Sequence, residues 1–225
     1  MLFRSPLARQ RTVIEVALAD PQPSVAALQG ACRRILAAGE EQERLIEALL
    51  TLARSQRGLD RCEPVDLAAI TGRVVLARRG EADRRGLTLA VQPGPASALG
   101  EPRLIERLVA NLVDNAVRHN VSHGVLEVST ATQAGHAVLA VTNTSPPIRP
   151  EDVSRLFQPF QRGGGRASGR DGLGLGLSIV SAIMEAHGGW LRAAARPGGG
   201  LSIQAGFPAA TPGRADSLPI PSICS

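Results

Sequence analysis

The stretch Leu108-Val-Ala-Asn111-Leu-Val-Asp-Asn115-Ala-Val-Arg118-His119 governs how the rest of the chain is read. Apolar residues recur there every three or four positions, so the spacing predicts a helix that its flanks extend over Arg103 to Asn120. On that helix Asn111 and Asn115, at i and i+4, share a face with either Arg118 or His119, at i+7 or i+8. A polar stripe on an apolar helix is either a solvated surface or a binding site, and the stretch alone does not separate the two.

A second stretch, Asp171-Gly172-Leu173-Gly174-Leu175-Gly176-Leu177-Ser178, is a glycine run that opens directly into a helix expected over Ser178 to His187. Glycine lets backbone N–H groups approach phosphate oxygens, and the helix N-terminus adds positive potential. A bare flexible turn would also be rich in glycine. Leu173, Leu175 and Leu177, interleaved with the glycines, point instead to an anchored loop.

Around these two stretches, strands are expected at Leu87–Val91, Val125–Thr130 and Ala137–Thr142, a helix at Val65–Arg79, and a turn at Pro93–Gly100. Trp190–Ala195 and Leu201–Phe207 read as a hairpin around Pro197-Gly-Gly-Gly200. Upstream, Arg4–Leu18 reads as a helix stopped by Asp20-Pro-Gln-Pro23, and Ser24 can cap a second helix running to Ser55. That helix carries Leu28, Cys32, Ile35, Ile46, Leu49 and Ala53 along one seam, interrupted at Gly39 and Gln42. The fold class is α+β: a helical hairpin, half of a dimeric four-helix bundle, over residues 1–60, and an α/β sandwich over 61–208. Residues 209–225 read as a disordered Pro/Ser-rich tail.

Composition narrows the function. The net charge of +5 comes from 25 basic residues, all arginine, scattered among 20 acids. With aromatic residues at only 2%, few rings are available to stack bases, and no nucleic-acid-binding motif is present; direct nucleic-acid binding is not expected. Cys32, Cys62 and Cys224 are far apart and lack the spacing of a zinc site or a disulfide framework, which fits a reducing cytoplasm. No apolar run reaches the length of a membrane span, so the chain as given reads as cytoplasmic.

Taken together, the asparagine helix and the glycine run resemble two of the nucleotide boxes of the histidine-kinase ATP-binding domain, of the GHKL/Bergerat type shared with DNA gyrase, heat-shock chaperones and mismatch-repair ATPases. Between them Leu156-Phe157-Gln-Pro-Phe160-Gln-Arg162 looks like the kinase F box. The resemblance implies ATP and Mg²⁺ as ligands. Asn115 and Asn111 would hold the metal, Arg118 and His119 would touch the nucleotide, and Gly172, Gly174 and Gly176 would line the triphosphate. The stretch from Pro147 to Asp171 becomes a lid, with Phe157 and Phe160 at its hinge and Gly163–Gly169 supplying mobility. Hydrolysing relatives carry a glutamate where this chain has Asn111, and an asparagine cannot serve as that base.

One box departs from the family pattern. Val141-Thr-Asn143-Thr-Ser145-Pro-Pro147 stands where an aspartate and two glycines are usual, which puts Asn143 at the adenine-reading position and Pro147 at the first hinge of the lid. An asparagine carbonyl can still accept from the adenine amino group. Phe3-Arg-Ser-Pro-Leu7 resembles the end of the box that carries the phosphoacceptor, so Met1 and Leu2 stand at the places of the histidine and its acid neighbour. The four histidines present, His119, His123, His136 and His187, lie outside the hairpin. Expected partners are a second copy or an intact relative through the hairpin, a response regulator, and a histidine-bearing kinase or phosphotransfer domain. A longer parent form would be attached to the inner membrane, and a catalytically silent regulator that dimerises with intact kinases is the alternative reading.

Overall fold

The computed structural model describes residues 6–39, 59, 61–158 and 175–210. Two compact units are formed, Met1–Leu49 and Leu50–Ser225.

In the first unit, helix α1 spans Pro6–Ala19. Asp20 then folds its carboxylate onto the Gln22 N–H at 3.0 Å, turning the chain. The Ser24 hydroxyl accepts from the Ala27 N–H at 3.1 Å and caps the second helix, α2, described over 25–39. Ala31 is buried where the two helices meet, and the Gln10 side chain donates to the Ile35 carbonyl across the pair at 3.4 Å. Cys32, expected on the seam, is exposed instead, one residue round the helix from Ala31. Ile46, Leu49 and Ala53 lie outside the described residues.

The second unit opens with a strand where a helix was expected. Val65 and Asp66 belong to β1 (Glu63–Asp66), which pairs antiparallel with β3 (Ser97–Gly100) inside the expected turn. Each strand has four residues, too few for alternation to register locally, and each needs a partner some thirty positions away in the chain. Helix α3 (Leu67–Arg84) therefore starts later, with Asp66 as its N-cap: the carboxylate accepts from the Ala69 N–H at 3.0 Å. Cys62, just before β1, is disulfide-bonded, against the expectation of no disulfide framework, while Cys32 is free.

The main sheet runs β2-β4-β5-β7-β6, built from β2 (Thr88–Pro93), β4 (Val125–Gln133), β5 (His136–Asn143), β7 (Leu201–Pro208) and β6 (Trp190–Ala195). Only the β2–β4 pairing is parallel. Helices α3, α4 (Pro102–Arg118) and α5 (Gly176–Ala186) pack on the sheet and on one another, α4 lying between the other two. Leu108 and Leu112 of α4, Ile183 and Met184 of α5, and Leu126, Leu139 and Phe207 of the sheet are almost wholly buried and form the core between the layers. Past β7 the chain stays bonded for two more residues, Ala209 N–H to the Gly135 carbonyl at 3.0 Å and Ala210 N–H to that of Ser97 at 2.8 Å. The remainder of the expected tail lies outside the described residues.

Because Asp66 satisfies one of the orphan donors at the start of α3, Asp66→Ala should lower stability by about 1 kcal/mol, whereas Asp66→Asn should stay within a few tenths of the parent. Urea unfolding checks this: a midpoint shift with the slope unchanged is expected, and an Asn variant as unstable as the Ala variant would count against the cap.

Candidate nucleotide site

Eight residues of α4, from Leu104 to Val117 at helical spacing, are buried. That fixes the rotation of the helix and leaves Asn111, Asp114, Asn115 and Arg118 half-buried along its margins. Of the two alternatives for the third polar position, Arg118 stays on the asparagine face: at 3.6 residues per turn it lies about 20° round the axis from Asn111, against about 80° for His119. His119 is exposed, at the C-cap.

Two arginines of the α3 end hold α4 in place. Arg78 makes a two-pronged pair with Asp114, its Nη2 donating at 3.1 Å, and this carboxylate raises the Arg78 pKa above the ordinary value. Arg85 donates through one Nη1 to the carbonyls of Val117 at 2.6 Å and Arg118 at 2.7 Å, placing a cation on the negative end of the α4 dipole. Asp114 is thus turned toward α3, away from the asparagine face it adjoins in sequence.

Opposite that face lies the N-terminus of α5. Leu175 is buried and accepts through its carbonyl from the Ile179 N–H at 3.0 Å and the Ser178 hydroxyl at 2.9 Å. Leu177 is buried too, so the two leucines described here anchor the start of the helix. The next residue, Gly176, faces Asn111: a Cβ built on it would sit 3.8 Å from Asn111 Oδ1. Asn111 Nδ2 is buried with no hydrogen-bond partner. A buried amide without a partner is costly, so its most natural use is to hold a ligand.

Asn143 closes β5 and is buried. Its Nδ2 donates to the Thr144 carbonyl at 3.0 Å, which leaves the amide oxygen as an acceptor. The β6–β7 turn presses on the same segment. Gly199 and Gly200, at φ +88° and +113°, come so close that a Cβ would meet the Ser145 carbonyl at 2.4 Å and the Asn143 carbonyl at 2.1 Å. Sequence reading saw these glycines only as a hairpin turn, because their neighbour is more than fifty residues distant. Pro147 is exposed beside that turn.

Phe157 ends a short 3₁₀ turn, Ser154–Phe157, that packs on α5, and it is half-buried. Phe160, Arg162, Gly172, Leu173 and Gly174 lie outside the described residues, as does the expected mobile stretch Gly163–Gly169. Two side chains were under-read. Asn120 bonds the β4 carbonyl of Val125 at 3.1 Å and organises a turn. His187, read only as a helix end, is buried and bonded at both ring nitrogens. Among the described residues no group of three or more His, Cys, Asp or Glu side chains could hold a metal ion.

Both the sequence and the fold are similar to those of known proteins. Residues 100–211 match the family described as histidine kinase-, DNA gyrase B-, and HSP90-like ATPase. The sensor protein CutS of Streptomyces coelicolor is 43% identical over 208 residues, 92% of this chain and 50% of CutS. Sensor protein kinase PmrB of Pseudomonas aeruginosa is 32% identical over 216 residues, 93% of this chain and 44% of PmrB. In fold, the solved Acinetobacter baumannii histidine kinase AdeS is similar, with a TM-score of 0.70 at 22% identity, covering 91% of this chain and 95% of that one. The chain spans about half the length of the curated relatives it matches. The α+β sandwich and these likenesses lead to one conclusion: the second unit belongs to the histidine kinase-, DNA gyrase B-, and HSP90-like ATPases and is an ATP-binding region of the kind found in two-component histidine kinases.

Proposed function

We propose that this chain is the catalytic part of a two-component sensor histidine kinase, transferring the γ-phosphoryl of ATP to a histidine carried by a longer form or by a partner chain. The observation that carries this reading is the meeting of Asn111, with its orphaned buried amide, and Gly176 at the head of α5. Anionic oxygens suit both sides of that gap: the α5 N-terminus offers N–H groups and the asparagine an amide. Asn115 and Asn111 would hold Mg²⁺ through their amide oxygens, hard neutral donors that leave room for phosphate oxygens and water. When bound, the ion neutralises charge on the transferring phosphates.

The other residues take roles around that centre. Gly172, Gly174 and Gly176 line the triphosphate, with Leu173, Leu175 and Leu177 anchoring the loop. Arg118 and His119 approach the nucleotide, and Asn143 accepts from the adenine amino group. Phe157, Phe160 and Arg162 belong to the lid. Lacking a carboxylate at position 111 to deprotonate water, the site should hydrolyse ATP slowly and keep the phosphoryl for a protein acceptor.

None of the four histidines is on the helical hairpin. His119 caps α4, His123 sits in a left-handed turn at φ +59°, His136 packs edge-on against Trp190 and His187 is buried. That distribution supports an acceptor on a longer form or a partner chain, and it equally supports the second reading, a nucleotide-binding regulator that pairs with intact kinases. In either case the hairpin assembles with a second copy or a relative. Val16, Leu18 and Leu36 are two-thirds or more exposed in the first unit, and covering such side chains contributes roughly 1.5–3 kcal/mol each. A response regulator would be the downstream partner, and a longer form would sit at the inner membrane.

Three outcomes follow. Asn115→Ala should weaken Mg-ATP binding by about tenfold or more, ~1.4 kcal/mol, in calorimetry, while Glu106→Ala on the exposed side of the same helix should not. Equal binding by both variants would disprove the assignment of the asparagine face. With γ-labelled Mg-ATP the chain alone should take up no acid-labile label but should label a separate histidine-bearing dimerisation domain. Labelling of the chain itself would locate an acceptor among its own histidines, and ATP binding without transfer to any such domain would favour the silent regulator. Light scattering should report a dimer mass at high concentration, and a monomer throughout would rule out assembly of the chain with itself.

A further inference from the structure

His187 lies at the far end of the site helices and has no part in the proposed chemistry. Its ring is 2% exposed, among Gly100 of β3, Glu101 at the head of α4, Ile183 of α5 and Phe207 of β7. Nε2 accepts from the Glu101 N–H at 3.1 Å, and Nδ1 lies 2.7 Å from the Ile183 carbonyl. Only the neutral imidazole with its proton on Nδ1 satisfies both bonds. The Phe207 ring stands edge-on at 5.3 Å, and a side chain at Gly100 would strike the imidazole, so the ring has no room to swing aside.

The bond ties the start of α4 to the end of α5, which run antiparallel. Ten residues along α4 separate Glu101 from Asn111, and eleven along α5 separate Gly176 from His187. At 1.5 Å per residue these are about 15 Å and about 16 Å, so a contact at one end of the pair sets the register at the other. We infer that His187 is a positioning residue for the nucleotide site: by pinning Glu101 to the end of α5 it holds Gly176 opposite Asn111, and the pin exists only while the ring is neutral.

The inference rests on the proposed nucleotide site. Burial pushes the His187 pKa below its ordinary value, opposed by the bond to Ile183, and no charged group contributes. Among the four neighbours Gly100, Glu101, Ile183 and Phe207, only Glu101 carries a titratable side chain. A lowered pKa means that the neutral form, and the pin with it, persists above the ordinary value of 6.5 and is lost as the pH falls through the lowered one.

Two variants and one titration of the full chain test this. His187→Phe keeps a ring against Phe207 but cannot accept from Glu101; His187→Gln offers an amide oxygen for the same N–H. The Phe variant should bind a non-hydrolysable Mg-ATP analogue about tenfold more weakly with its cooperative urea transition retained, and the Gln variant should recover most of that affinity. In an NMR pH titration of the parent, the backbone amides of Asn111 and Gly176 should shift with the midpoint of the His187 ring itself. Parent-like binding by the Phe variant, or amides that stay still while the ring titrates, would overturn the inference. The titration decides it alone should the Phe variant not fold. A parent that binds no nucleotide at all would instead defeat the site assignment on which this rests.

Discussion

Helix α4 must bury one side completely and leave the polar residues on its margins half-buried, and the rest of the second unit is arranged around that requirement. Its apolar face is gripped by the sheet and by both neighbouring helices. Each polar margin is then held by a different device. Arg78 draws Asp114 toward α3, Arg85 closes the C-terminal carbonyls, and His187 accepts from the N–H of the N-cap residue Glu101. Removing Arg85 would leave two helix-end carbonyls to find other donors, and burial of unpaired backbone is costly. The asparagines can stay half-buried and uncommitted because these other groups have already fixed the helix.

At the end of β5, the same economy of contacts holds Asn143. The turn joining β6 to β7 needs two glycines with positive φ, since any side chain there would collide with the backbone that follows β5. Tight backbone apposition keeps the Asn143 amide where the sheet ends, and the carbonyl of its own neighbour Thr144 accepts one hydrogen bond from the amide nitrogen. A neutral residue stands here where the resemblance leads one to expect an acid, and its amide oxygen is left as an uncharged acceptor.

The first unit follows a different logic. Ala31 and Ile35 supply a narrow contact between α1 and α2, and much of the apolar surface of both helices stays open. Two helices alone cannot enclose such a surface, whereas four can. The two units thus differ in kind, one closed around its own core and the other leaving large apolar side chains such as Val16, Leu18 and Leu36 exposed.

Much of this was present in the residues themselves. Helical periodicity from Leu104 to Val117, alternation in β4 and β5, the hairpin around Gly198 and the capping role of Ser24 are local patterns, and each can be read from neighbours a few positions apart. So can the chemistry of Asn111 and Asn115, because amide type and spacing suffice to define a face. The four-residue strands β1 and β3 could not be read, nor the starting point of α3, since a short strand is defined by a partner remote in sequence. For the same reason the pairing of Asp114 with Arg78, the pressure of Gly200 on Asn143 and the burial of His187 belong to the tertiary structure. Local sequence determines which faces a helix can offer; which face meets which, and which polar atoms are left without a partner, is settled only when distant segments pack together and exclude water.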